Sequence, residues 1–240
     1  MTVPAAVPAR PEPDAPLVPQ FPMRLRRAIW AAAAALVTVF VAHAASRYLV
    51  LTEASYGPLW PNRHGLLPHL LGGALALVAG IAQFCAGLRR RHPALHRATG
   101  RLYVAGVALG AAAAYWMSLR SVLGWPFGVA AFVMASAWAG ATLMGLVAIR
   151  SGNVALHREW MLRSYVVTFA FVTFRLMMVS PLFAGLGSVP ERFTVLLWLS
   201  WTVPLLATEG LLQWRRCATP AARAGLGAGT ATARLAGSGS

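Results

Sequence analysis

The stretch that decides how this chain is read is Ala94-Leu95-His96-Arg97, followed by Gly100-Arg101-Leu102-Tyr103. It returns in altered form as Ala155-Leu156-His157-Arg158, followed by Arg163-Ser164-Tyr165. Each copy stands where an arginine-rich segment runs into a long apolar one. The first opens the run 102–119 and the second opens 160–183. Outward from these corners the pattern repeats, polar turn against apolar run, and the runs number six: roughly 28–48, 66–88, 102–119, 127–149, 160–183 and 193–214. A hydrocarbon core of about 30 Å needs about 20 apolar residues as helix. Unpaired backbone groups are not tolerated in lipid, so each run is expected to be helical. The expected fold is all-α, a bundle of six transmembrane helices.

Composition supports a membrane chain. The 240 residues are 58% hydrophobic and 11% charged, with a mean hydropathy of +0.61. Soluble domains carry about 25% charged residues. A formal net charge of +15 invites a nucleic-acid partner. The charges flank apolar runs instead of forming one solvated face, so no nucleic acid is expected. All 21 basic residues are arginine, which base composition explains better than function. Cys85 and Cys217 form neither a disulfide framework nor a C-x-x-C site.

Arginine counts orient the bundle. Sixteen lie in the amino tail, the second and fourth loops and the carboxyl tail; four (Arg47, Arg63, Arg120, Arg192) lie on the other side, and Arg175 lies within a helix. The bias predicts that both termini are cytoplasmic. It also puts His96 and His157 on the cytoplasmic side. Residues 1–23 are proline-rich and 215–240 are rich in Ala, Gly, Thr and Ser, so both are expected to be disordered tails around a membrane domain at 24–214.

The two corners are 61 residues apart, and Arg89 meets Arg150 at the same offset. A one-residue shift then aligns Arg101-Leu102-Tyr103 with Arg163-Ser164-Tyr165. The helices themselves match poorly. A weak parallel repeat of helix pairs two–three and four–five stands beside the simpler account, in which two loops on one side each need arginine.

Several polar groups sit inside the runs. In the second, His69, Gly73, Ala76, Gly80, Gln83 and Gly87 are spaced by three or four and share a face. Small residues there admit a neighbouring helix or a flat cofactor. In the fifth, His157, Met161, Ser164, Thr168, Phe171 and Arg175 share a face, and Arg175 is expected to look into the bundle. Glu209 in the sixth run is expected to pair with Arg163 or a histidine. Gly106 and Gly110 form a G-x-x-x-G packing motif. His43, His64 and His92 are weaker singletons. Trp30, Trp60, Trp160 and Trp214 suit the interfacial belt.

The chain resembles a family of bacterial multi-helix membrane proteins known only as domain of unknown function 2306. The residues that carry the resemblance are His69 with Gln83-Phe84; His96-Arg97, Gly100-Arg101 and Tyr103; His157-Arg158, Trp160-Met161 and Arg163-Ser164-Tyr165; then Phe169, Arg175, Trp198, Trp201 and Glu209. They cover roughly 65–212. One departure is Pro204-Leu205, where the resemblance implies an asparagine a turn before Glu209. The resemblance implies a fold and site positions, and no chemistry.

Three functions compete. The sharpest is a redox protein binding one b-type haem or a quinone at the cluster of His96, Arg97, Arg101, His157, Arg158 and Arg163, with His96 and His157 as axial ligands of the iron. His69 has no partner histidine in helix four, where the offset position is Ala130, so at most one such haem fits. The second is a transporter or a protein binding anionic lipid, with His69, Gln83, Arg175 and Glu209 as intramembrane polar groups. The third is a structural or assembly subunit without a site of its own. No H-E-x-x-H, G-x-S-x-G or phosphate loop points to soluble-type enzyme chemistry.

Overall fold

The computed structural model describes residues 22–48 and 50–218. Most of both expected tails, and the side chains of Trp30 and His43, lie outside what is described. Among the described residues there are helices and no strands. The long helices are α1 (Met23–Tyr48), α3 (Arg63–Gln83), α5 (Pro93–Ser118), α6 (Trp125–Arg150), α7 (Val154–Val179) and α8 (Val189–Ala218). Two short ones, α2 (Glu53–Tyr56) and α4 (Ala86–Arg91), occupy connections.

The six long helices fall on the six apolar runs. Among the described residues four segments are long and apolar enough to cross a membrane: Leu59–Gln83, Trp125–Arg150, Val154–Val179 and Val189–Trp214. Helix α5 is not among them. Its first turns carry His96, Arg97 and Arg101, and the remainder is Ala- and Gly-rich with few large aliphatics. The second run, expected to reach 88, breaks at Gln83. There the chain turns through Phe84 and Cys85 into α4, so Gly87 leaves the small-residue face. Helix α8 continues to Ala218, past the expected end at 214.

The most extensive contact joins α3 to α5, and α6 pairs with α7 in the same antiparallel way. In lipid, association relies on close packing and interhelical hydrogen bonds, because apolar contact alone gains nothing over the acyl chains. Both devices are present. At the α3–α5 crossing, a Cβ on Gly72 would lie 2.5 Å from the Gly110 nitrogen and 2.6 Å from the Gly106 oxygen. The G-x-x-x-G of α5 therefore meets bare backbone, as its spacing suggested. Further along α3, the rings of Phe171 and Tyr165 from α7 lie over Gly73 and Gly80. The stripe that invited a flat cofactor is covered by the protein's own aromatics.

The second device is a hydroxyl network linking α5, α6 and α7 in the core. Tyr103 Oη lies 2.6 Å from Ser164 Oγ and 2.9 Å from Thr168 Oγ1. Trp138 Nε1 donates to Thr168 Oγ1 at 2.7 Å, and Thr142 Oγ1 lies 2.7 Å from Ser164 Oγ. All five side chains are buried. Each polar atom in lipid-shielded space needs a partner, and these supply one another.

Candidate functional site

The two His-Arg corners are built by the same local rule. Asn153 caps α7, its side chain accepting from the Leu156 amide at 3.0 Å, after Gly152 turns the chain with φ +78°. At α5 the cap position is His92, followed by Pro93 at the first helical residue, where a missing N–H costs nothing. In consequence His96 and His157 are each the fourth residue of their helix. Their amides donate to His92 O and Asn153 O, both at 3.0 Å. Two turns further on, Tyr103 of α5 touches Ser164 of α7, so the helices that carry the corners run side by side.

His157, Arg89 and Arg97 lie within electrostatic reach of His96. The two rings are used differently. His157 Nδ1 is 2.8 Å from the carbonyl oxygen of Gly145 in α6. An N–H at Nδ1 donates that bond, because the carbonyl oxygen can only accept. His96 Nδ1 is buried without a hydrogen-bond partner. Burial first, then the charges of Arg89, His157 and Arg97, hold the His96 imidazole below its ordinary titration range. His96 precedes the apolar part of α5, at the arginine-rich end of the bundle.

The other members of the expected cluster divide. Arg97 and Arg101 are exposed and Arg158 is half-buried. Arg163 is turned toward α8: its Nη2 and Nε donate to Glu209 Oε2 at 2.6 and 3.0 Å, and Nη1 lies 3.4 Å from Glu159. Glu159 also takes Arg216 at 2.5 Å, and Gln213 donates to the second oxygen of Glu209 at 2.7 Å. The result is an ionic clasp between α7 and α8. It neutralises Arg163 as a free anion site, and it realises the expected Glu209–Arg163 pairing.

Gln83 is half-buried, and its Nε2 donates to Thr99 Oγ1 at 2.6 Å and His96 O at 3.3 Å. It ties the end of α3 to the first turns of α5. His69 lies toward the opposite end of the bundle, Nδ1 3.0 Å from Gly110 O and its ring stacked at a tilt on Phe171. Arg175 does not look into the bundle as expected; it is exposed. It stands one turn before the end of α7 at Val179, where a guanidinium can snorkel to the interface.

Sequence reasoning placed Ser164 and Thr168 on the right face of α7 and missed the network they build with Tyr103, Trp138 and Thr142. The visible signal was hydroxyls spaced by four residues inside apolar runs. The pairing of Glu159 with Arg163 was missed as well, although the two stand four apart on one helix. Among the described residues no group of three or more His, Cys, Asp or Glu is placed to hold a metal ion.

Residues 66–212 match the model of a family described as predicted membrane protein (DUF2306). No curated protein and no solved structure matches. The match spans more than half of the chain, so the chain belongs to that family and is a membrane protein with several apolar helices.

Proposed function

We propose that this member of the DUF2306 family is a multi-pass protein of the bacterial inner membrane that holds an anionic head group, a phosphate or carboxylate, at the His96 corner. The six long helices all cross in this reading, and both termini lie in the cytoplasm, as the arginine bias argues. The corner then faces the inner-leaflet head groups. The observation that carries the proposal is the buried, unpartnered Nδ1 of His96 in the field of Arg89 and Arg97. An unmade hydrogen bond at a buried polar atom costs about 1–3 kcal/mol. An acceptor oxygen recovers that cost, and the guanidinium groups favour one that carries negative charge. Arg101 and Arg158 border the same end, and Arg163 serves the helix clasp.

The experiment is retention of anionic phospholipid by the protein purified in mild detergent, read by native mass spectrometry. Wild type is expected to keep phosphatidylglycerol. His96→Ala and Arg97→Ala are each expected to keep about tenfold less, the equivalent of one charge-assisted hydrogen bond. Competition with inorganic phosphate separates a lipid-specific site from a phosphate site. Equal retention by wild type and both variants would exclude the reading.

One observation favours a second reading, a b-type haem in a redox protein. A ligating imidazole usually gives its other N–H to a carbonyl, as His157 does to Gly145. His157 and His96 would hold the iron, and the haem would supply electron transfer. The macrocycle also needs a slot between α5 and α7, and the 2.6 Å Tyr103–Ser164 contact closes that space two turns above the corner. The anionic head group therefore stands first. An absorption spectrum of the purified protein decides between the two: a Soret band lost in His157→Ala would reverse the order.

A further inference from the structure

We infer that the guanidinium of Arg175 takes the phosphate of a phospholipid in the leaflet opposite the two His-Arg corners, a site separate from His96. Arg175 lies in the Val154–Val179 span and is exposed. It stands twelve residues after Arg163, whose clasp with Glu209 and Glu159 marks the corner end of the span. That separation is about 18 Å of helix, against about 30 Å for a hydrocarbon core. A cation at such depth is costly, and the cost is met by reaching toward the interface and by drawing polar groups inward.

The second observation is that no protein group answers this charge. Phe171, one turn earlier on the same face of α7, packs its ring on His69 of α3 with centroids 4.9 Å apart. Arg175 is within electrostatic reach of His69, but a histidine is no counter-ion. The chain has six carboxylates. Glu159 and Glu209 belong to the clasp, Glu191 accepts from Ser188, Glu53 starts α2, and Glu12 and Asp14 precede α1. Helix α1, which packs on α3 and α7 through Val37, contains no acid. At the same end of the bundle, Arg63 and Arg120 lie over the Trp60 and Trp116 rings at 4.4 and 4.6 Å, and Arg192 donates to Ala184 O. Among the described residues Arg175 has no hydrogen bond, ion pair or ring contact of that kind.

Charge and surroundings select the occupant. The missing partner is an anion. Leu176 and Val179 beside Arg175 are 48% and 80% exposed, so the surface around the guanidinium is apolar and faces acyl chains. A dissolved anion would have to shed its water to reach it. A phospholipid brings its phosphate on two chains that cover those side chains. A guanidinium can hold that phosphate through two parallel hydrogen bonds.

The test is retention of phosphatidylcholine by the full-length protein in mild detergent, read by native mass spectrometry. This lipid brings the phosphate without net charge, which sets it apart from the anion that the His96 corner calls for. Wild type is expected to keep it. Arg175→Met keeps the aliphatic reach and removes the donors; it is expected to keep about tenfold less, the equivalent of one charge-assisted hydrogen bond. His96→Ala is expected to leave retention unchanged. No retention by wild type, or equal retention by Arg175→Met, would overturn the inference, because the guanidinium would then reach water alone. A loss in His96→Ala as large as in Arg175→Met would place the lipid at the corner and overturn it too. So would displacement by millimolar inorganic phosphate, which would assign the site to a dissolved anion. Melting temperatures report folding, and Arg175→Gln, expected to lose as much, decides if Arg175→Met does not fold.

Discussion

The two corners place the same four residues, Ala-Leu-His-Arg, at the same four positions of α5 and α7, yet one histidine is bonded and the other is not. His157 reaches the carbonyl of Gly145 because α6 continues alongside it to Arg150. The residue that stands to His96 as Gly145 stands to His157 is Phe84, just beyond the end of α3 at Gln83. The neighbouring helix has stopped, and the side chain of Gln83 reaches the His96 carbonyl, not its ring. The lesson is that a sequence echo fixes helical position, while the neighbour's length decides what the side chain meets. One corner became a structural joint, and the other kept an unsatisfied imidazole.

Substitutions in pairs sharpen this contrast. The largest difference is expected between Arg163 and its echo Arg101. Arg163→Met removes the cation shared by Glu159 and Glu209 and is expected to cost about 2 kcal/mol. Arg101→Met at an exposed position is expected to change stability by less than about 0.5 kcal/mol. Thermal unfolding in detergent measures both; equal effects would remove the distinction between joint and free corner.

Next come the helix starts. Asn153→Ala loses a side-chain cap and is expected to cost about 1 kcal/mol. His92→Ala is expected to cost nothing by this route, because His92 makes no side-chain cap bond. For the histidines themselves, His157→Ala is expected to lose about 1 kcal/mol with the Gly145 bond. His96→Ala is expected to leave unfolding unchanged or slightly later. A His96→Ala variant less stable than His157→Ala would mean that His96 has a protein partner after all.

The smallest effect is the pH dependence. The folded His96 titrates below the ordinary value of about 6.5, mainly through burial. Between the folded and ordinary values the unfolded chain binds more protons, so stability rises with pH in that window. The contribution is complete above about pH 6.5 and is lost as pH falls toward the folded value. His96→Gln is expected to flatten the melting-temperature profile below about pH 6.5. An unchanged slope would assign the dependence to another group.

Some of the site was legible and some was not. Arg163–Glu209 was readable because few charges occur in the apolar runs, and a buried charge must find its opposite. The proximity of His96 and His157 followed from both standing at the arginine-rich start of an apolar run. Arg175 was misread because face counting along α7 shows which residues share a side and not whether a neighbouring helix covers that side at their level. The Tyr103–Ser164–Thr142 network was only half legible: spacing by four residues shows that hydroxyls share a face, and only packing shows which ones meet.

The sequence by itself determined that this is a helical membrane protein, where its apolar runs lie, and that two His-Arg corners share one end. Lipid imposes those conclusions, because it admits few charges and no unpaired backbone. The tertiary structure alone decided that α3 ends at Gln83, that Arg163 belongs to a clasp with α8, and that His96 Nδ1 is left without a partner. Those facts depend on which helix lies opposite at each level, and no local pattern encodes the opposite helix.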